Sequence, residues 1–142
     1  MESVISDSEK IPEMSLDDHG LLEGLPLTAE GFPRVLSIAD EPPHTRIVLD
    51  VSSDLCWFRG HFPGQPVLPG IVQLHWATLV CRSLYGFAGA PQEVKRLKFK
   101  KLVIPPTTLE LAVSQDGERD ALFCFSSLGD VHSEGKILFA ES

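Results

Sequence analysis

The alternation of hydrophobic and polar positions predicts one long helix and about five or six strands. The helix covers Gly70–Tyr85, contains no helix breaker and stops before Gly86, a residue suited to a helix C-terminus. It is apolar on nearly every face, so we expect it to be buried. Strand-like stretches lie at Arg34–Ala39, Thr45–Ser52, Val94–Ile104, Thr108–Ser114, Ala121–Leu128 and His132–Ala140. This order predicts an α+β domain with the helix against a mostly antiparallel sheet.

The stretch Val94–Ile104 alternates only over its first half. We expect an irregularity in register near Arg96 and take the apolar residues of the stretch as candidates for the core. These are Val94, Leu97, Phe99 and Leu102.

The charge of the chain is unevenly placed. The formal net charge is −8, but residues 1–23 hold seven acidic residues and one lysine, a net of −6, so the remainder carries only −2. Residues 1–25 are therefore predicted to form an acidic, flexible leader, and residues 26–142 a single domain. An acidic chain argues against nucleic acid as a partner, because neutralising phosphates requires a basic surface.

Neither a membrane span nor a secretion signal is evident in the sequence. Cys56, Cys81 and Cys124 are odd in number and lack metal-binding spacing, which indicates free thiols, a cytoplasmic protein and no metal site. We take His19, His44 and His132 for surface residues, because nothing around them indicates a function.

The segment Trp57–Gly70, WFRGHFPGQPVLPG, is an apolar loop rich in glycine and proline. Loops are usually polar and exposed, so an apolar one is expected to pack on the core or to line a site. It carries His61 nine residues before the predicted helix start. Gly70, at that start, can offer an unpaired backbone N–H to a ligand oxygen, and His75 lies about one and a half turns further on. These three groups together favour a site for a carbonyl compound.

The run GHFPGQPVLPG, followed by IVQLHWA, resembles the signature of the 3-hydroxyacyl-acyl-carrier-protein (ACP) dehydratases of the hotdog superfamily, the FabA/FabZ type. Within that group, LPGIVQL and the preceding DLCWF are most similar to the ApeI-like dehydratases of aryl polyene pathways. The resemblance is strong over Phe58–Ala77 and leaves about the first 25 residues uncovered. It implies a hotdog fold, in which a curved antiparallel sheet of five or six strands wraps a central helix.

The resemblance also implies roles for individual residues. His61 matches the catalytic histidine, and Gly70 matches the glycine whose backbone N–H binds the thioester carbonyl. The catalytic carboxylate of the family falls at position 75, where this chain has His75. A histidine can hold or release a proton near neutral pH, so a pair of histidines is chemically competent as base and acid.

The resemblance, together with a histidine at position 75 in place of a carboxylate, leaves three candidate functions. The first is dehydration of a 3-hydroxyacyl thioester to the trans-2-enoyl thioester, a lyase reaction of fatty-acid, polyketide or aryl polyene biosynthesis. The second is a catalytically weakened subunit that binds acyl chains or pairs with an active enzyme. The third is a hotdog thioesterase, which ranks last because the helix offers no carboxylate to activate water.

Partners and further site residues follow from the resemblance as well. The expected substrate is an acyl-ACP or acyl-CoA, with no cofactor beyond the phosphopantetheine that arrives with it. A homodimer with His61 and His75 of opposite subunits in each site is implied, and a heterodimer is the alternative. Possible tunnel-lining residues, for which a core position is the alternative, are Trp57, Phe58, Phe62 and Trp76. A possible carrier-docking patch, for which a solvated edge strand is the alternative, comprises Lys95, Arg96, Lys98, Lys100 and Lys101.

Overall fold

A computed structural model describes residues 31–58 and 66–141 of the 142-residue chain. The predicted leader, residues 1–25, lies outside the described residues, as do His19, His61 and Phe62. The strands are β1 (Arg34–Glu41), β2 (His44–Val51), β3 (Pro91–Phe99), β4 (Thr107–Gln115), β5 (Asp120–Ser127) and β6 (Asp130–Phe139). One helix, α1 (Gly70–Tyr85), lies between β2 and β3, and a short 3-10 helix spans Cys56–Phe58.

The six strands form one antiparallel sheet in the order β1-β2-β4-β5-β6-β3. The pairs β1–β2, β4–β5 and β5–β6 are hairpins, β4 lies beside β2, and β3 lies at the far edge beside β6. The helix packs against β4, β5 and β6, the middle of the sheet. This is the hotdog arrangement that the resemblance implied.

Helix α1 has the predicted bounds. Gly86 ends it in the left-handed region (φ 72°) and donates its backbone N–H to the Arg82 carbonyl, a conformation that glycine adopts without strain. The expectation of burial on nearly every face was wrong, because Ile71, His75 and Arg82 form an exposed stripe. The opposite face is buried in the core and includes Val72, Gln73, Trp76, Ala77, Val80 and Cys81.

Strand β3 differs most from its prediction. It ends at Phe99 rather than Ile104, and Leu97, Phe99 and Leu102 are exposed instead of inward-facing. The irregularity near Arg96 is confirmed, since pairing with β6 shifts between Lys95 and Lys98 and Arg96 has a positive φ of 54°. As an edge strand, β3 has a neighbour on one side only, and α1 packs mainly against β4, β5 and β6, so the apolar side chains of β3 stay largely uncovered.

The described part of the chain contains no helix long and apolar enough to cross a membrane. Its three cysteines are free thiols: Cys81 is buried, while Cys56 and Cys124 are half-buried.

Candidate active site at the start of helix α1

The start of α1 presents a backbone hydrogen-bond donor. Pro69 precedes the helix in an extended conformation, and its carbonyl accepts hydrogen bonds from the N–H groups of Val72 (3.0 Å) and Gln73 (3.3 Å). Because the carbonyl and N–H of a trans peptide point in opposite directions, the Gly70 N–H points away from the helix. Among the described residues it has no hydrogen-bond partner. The aligned peptide dipoles of α1 make this end attractive to a negatively charged oxygen.

Gly70 packs closely against Phe99. A Cβ atom at position 70 would lie 2.6 Å from the Phe99 ring, so any larger residue there requires the ring to move. Phe99 is 53% exposed, so one side of its ring covers the helix start while the other faces solvent. The expected core residue is thus part of the surface around the Gly70 donor.

Three further exposed apolar residues lie near this point. The backbone N–H of Leu68 bonds the Val103 carbonyl (2.8 Å), which brings the segment after β3 beside the helix start. Its neighbours Leu102 and Ile104 are exposed, as is Ile71 in the first turn of α1. We call Ile71, Phe99, Leu102 and Ile104 the apolar rim. A cluster of this kind is typical of a ligand or protein interface.

His75 is exposed on the same stripe of α1 as Ile71, about 7.5 Å along the helix axis from Gly70. Its ring meets the Trp57 indole edge-on, with centroids 6.3 Å apart. Trp57 is held in turn by a 2.6 Å hydrogen bond from its Nε1 to the Gly31 carbonyl. The structure therefore brings His75 and Trp57 into contact, while Gly70 lies at the start of the helix against Phe99.

The other predicted aromatic residues differ in position. Trp76 is fully buried in the core and donates its Nε1–H to the same Gly31 carbonyl (3.1 Å), and Phe58 is also buried. For both residues the structure favours the core alternative.

The predicted basic patch is exposed but not uniform. Lys100 pairs with Glu134 (3.1 Å) and Lys101 with Asp130 (2.8 Å). The Lys101 ammonium lowers the pKa of the Asp130 carboxyl by its hydrogen bond and charge. Among the described residues, Lys95 and Lys98 have no ion pair, so they remain available to an acidic partner. Arg96 and Lys98 also border a groove of about 380 Å³ that includes Leu122 and Cys124.

Two buried polar groups near the site were missed from the sequence. Gln73 is buried in α1 and bonds Ser133 and the Leu68 carbonyl. His132, expected at the surface, is 4% exposed. Its ring contacts the Ser127 hydroxyl (2.6 Å) and the Lys101 carbonyl (3.2 Å), which explains its burial. A glutamine within an apolar helix was the available signal for Gln73; nothing local indicated the burial of His132.

The cysteine thiols show no sign of nucleophilic activation. Burial raises the pKa of Cys81 to about 12, and burial is also the largest cause raising the pKa of Cys124. The thiolate, the reactive form, is therefore disfavoured at both positions.

Comparison with known protein sequences finds dehydratases among the relatives of this chain. A family model described as ApeI dehydratase (ApeI-like) matches residues 37–136. The 3-hydroxyacyl-[acyl-carrier-protein] dehydratase FabZ of Yersinia enterocolitica is 32% identical over 141 residues, covering 85% of this chain and 81% of that protein.

Solved structures of dehydratases also resemble this chain. The dehydratase heterocomplex ApeI:P from Xenorhabdus doucetiae includes a chain with a TM-score of 0.70 and 29% identity, covering 77% of this chain and 98% of that one. The dehydratase domain from the CurF module of curacin polyketide synthase, at 18% identity and a TM-score of 0.59, covers 80% of this chain and 45% of its own and shares the fold. The chain accordingly belongs to the ApeI-like dehydratases, a family of hotdog proteins related to the 3-hydroxyacyl-ACP dehydratases.

Proposed function

We propose that this protein dehydrates a 3-hydroxyacyl group carried on acyl carrier protein to the trans-2-enoyl thioester. The observation that carries the proposal is the Gly70 N–H, unpartnered among the described residues and placed at the positive end of α1. Loss of the C2 proton moves negative charge onto the thioester oxygen. A preorganised donor at that oxygen lowers the barrier to proton removal.

The proton transfers are assigned to the two histidines. His61 takes the C2 proton as general base, and the electrons of the C2–H bond move onto the thioester oxygen as an enolate. They return to form the C2–C3 double bond as the C3–O bond breaks, and the departing hydroxyl receives a proton from His75 and leaves as water. Two nearby imidazoles resist simultaneous protonation, which favours one neutral base and one charged acid.

The exposed position of His75 supports a site completed by a second subunit. We propose a dimer in which β3 edges meet, with the apolar rim covered and His75 of one subunit facing His61 of the other. The uncovered edge of β3 and the exposed Phe99 and Leu102 favour this contact. Pairing of β3 edges leaves the side chains of the strand on the two faces of the sheet, where Lys95 and Lys98 supply a positive charge that suits an acidic carrier protein.

The test is dehydration of 3-hydroxybutyryl-ACP by the purified protein, followed by enoyl absorbance and mass spectrometry of the acyl-ACP. We expect turnover in the native protein, and losses of at least about 100-fold in both His61→Ala and His75→Ala. His75→Gln, which keeps a polar side chain but cannot supply a proton as an acid, is the matched variant and should also be inactive. An inactive native protein alongside an active His75→Glu variant would refute the proposal.

A second candidate is a subunit of a heterodimer with little activity of its own. It is favoured by His75 at the carboxylate position and by the likeness to a chain of the ApeI:P heterocomplex. In this case the purified chain alone is inactive, while a mixture with a catalytic hotdog partner forms a one-to-one complex. His61→Ala in this chain would leave the activity of that complex unchanged.

A further inference from the structure

Gln73 is a buried amide on the face of α1 that packs into the core. Gln73 is only 3% exposed and lies three positions after Gly70 and two before His75. A buried amide is costly unless its donor and acceptor are both used. Here Oε1 accepts a hydrogen bond from the Ser133 hydroxyl (2.7 Å), and Nε2 donates to the Leu68 carbonyl (3.4 Å).

The Leu68 contact fixes the chain that leads into the helix. Leu68 is bound on both sides of its backbone, since its N–H donates to the Val103 carbonyl and its carbonyl accepts from Gln73. Pro69 follows with a φ of −61°, which its ring restrains. The peptide that carries the Gly70 N–H comes next, so its orientation depends on how Leu68 is held.

The Ser133 contact connects the same point to the sheet. Ser133 is fully buried in β6 and lies opposite Phe99 of β3 in the strand register. Phe99 places its ring against Gly70, and Ser133 holds Gln73. The paired residues Phe99 and Ser133 therefore act on the same point: Phe99 covers Gly70 with its ring, and Ser133, through Gln73, helps to fix the Gly70 N–H.

We propose that Gln73 is a positioning residue that holds the Gly70 backbone N–H in the direction needed to bind the thioester carbonyl. The inference rests on the proposed function, because it assigns Gly70 the carbonyl of the substrate. Gln73 itself touches no reacting atom. Its effect passes through Leu68 and Pro69 to the Gly70 peptide.

The test combines kinetics with infrared spectroscopy of the full-length protein. The probe is butyryl-pantetheine labelled with ¹³C at the thioester carbonyl, which binds without a hydroxyl group to eliminate. In the native protein we expect the carbonyl band to shift to lower frequency on binding. In Gln73→Met, similar in length but without the amide, the shift should shrink and kcat for 3-hydroxybutyryl-ACP should fall about tenfold, with little change in KM.

Three variants separate positioning from general stability. Thr78→Ala is the matched control, because it removes another buried polar contact of α1, the bond from Thr78 to the Leu74 carbonyl (2.9 Å), away from Leu68. It should leave the carbonyl band and kcat unchanged. Ser133→Ala should give an intermediate loss. Gln73→Glu retains a donor only when protonated, so its kcat relative to that of the native protein at the same pH should recover as the pH is lowered, and it serves if Gln73→Met does not fold.

The outcomes distinguish the inference from the proposed function. If the native protein turns over and a folded Gln73→Met variant has the same kcat and carbonyl band, the role of Gln73 is overturned and the proposed function stands. If the native protein shows no turnover but does shift the carbonyl band, dehydration is refuted. The effect of Gln73→Met on that band then decides the role of Gln73. No band shift in the native protein overturns both.

Discussion

Phe99 and Gly70 show how one contact can serve both fold and site. Gly70 has no positive φ, so an alanine is compatible with its helical backbone and is blocked only by the Phe99 ring. Since the ring is half-exposed, it can move aside only by leaving the surface around the donor. The requirement for glycine is therefore steric and comes from a residue twenty-nine positions away in the sequence.

Gly70→Ala is expected to lower kcat/KM at least tenfold while leaving the protein folded. The reason is displacement of Phe99 and crowding of the thioester carbonyl. Phe99→Ala in the same chain should restore part of the lost activity, because it removes the collision. Kinetics of the two single variants and the double variant measure this coupling; purely additive losses would contradict the steric explanation.

His132 illustrates what residue patterns do not reveal. Its neighbours gave no hint of burial, because its partners Ser127 and Lys101 come from a hairpin and from the segment after β3. Polar groups are buried where tertiary contacts satisfy them, and such partners are not visible before the fold is known. For Gln73 the apolar helix around it was a signal of burial, but its partner Ser133, sixty positions away, was not predictable.

At the scale of elements, the bounds of α1 were predictable, whereas for β3 only the strand itself and its irregularity near Arg96 were. The signals that bound α1 are local: Pro69 before it and Gly86 after it. The exposure of β3 depends on its place at the sheet edge, which only the strand order determines. The motif around the helix start indicated Gly70 and His75 as candidate site residues, but the approach of Phe99 follows from the pairing of β3 with β6.

The edge strand β3 also allows a test of carrier docking. Lys98→Gln should raise KM for 3-hydroxyacyl-ACP roughly threefold and leave KM for the corresponding pantetheine thioester unchanged, because only the carrier brings an acidic surface. Arg82→Gln, which removes an exposed positive charge at the far end of α1, is the control. Equal effects of Lys98→Gln on both substrates would place the lysine outside the docking surface.

Lys136 in β6 joins two carboxylates at the β4–β5 turn, Asp116 (2.8 Å) and Asp120 (3.4 Å). Its hydrogen bond and charge lower the pKa of Asp116, and Asp116 in turn raises the pKa of Lys136. The stabilisation is present above the ordinary carboxyl pKa of about 3.9 and is lost as the pH falls through the lowered pKa. The two groups therefore support the β4–β5 turn across the neutral range.

Lys136→Met should raise the pKa of Asp116 toward its ordinary value, which an NMR titration of the carboxyl carbon measures directly. Unfolding in urea should show a stability difference from the native protein at pH 6 that is lost as the pH falls through the lowered pKa of Asp116. Asp130, which pairs with Lys101 instead, is the internal control and should titrate as before. An unchanged Asp116 titration would show that Lys136 does not cause the shift.

At the scale of the whole molecule, the apolar rim and the edge of β3 suit an assembly larger than one chain. Leu102→Glu should shift the protein toward monomer in size-exclusion chromatography with light scattering, because a charge would be buried in the contact. Leu122→Glu is the matched control: that leucine is also exposed but lies on β5, two strands inward from the β3 edge and opposite Lys136 in register. Dissociation by both variants, or by neither, would argue against the rim as the interface.

The Gly31 carbonyl, which accepts hydrogen bonds from both Trp57 and Trp76, gives the protein a built-in optical probe. These are the two tryptophans of the chain, one edge-on to His75 and the other fully buried. Binding of a ligand or of a second subunit beside His75 changes the surroundings of the Trp57 indole, whereas an indole enclosed in the core is shielded from that change. The intrinsic fluorescence thus divides into a component from Trp57 that reports occupation of the surface around His75 and a component from Trp76 that serves as its reference.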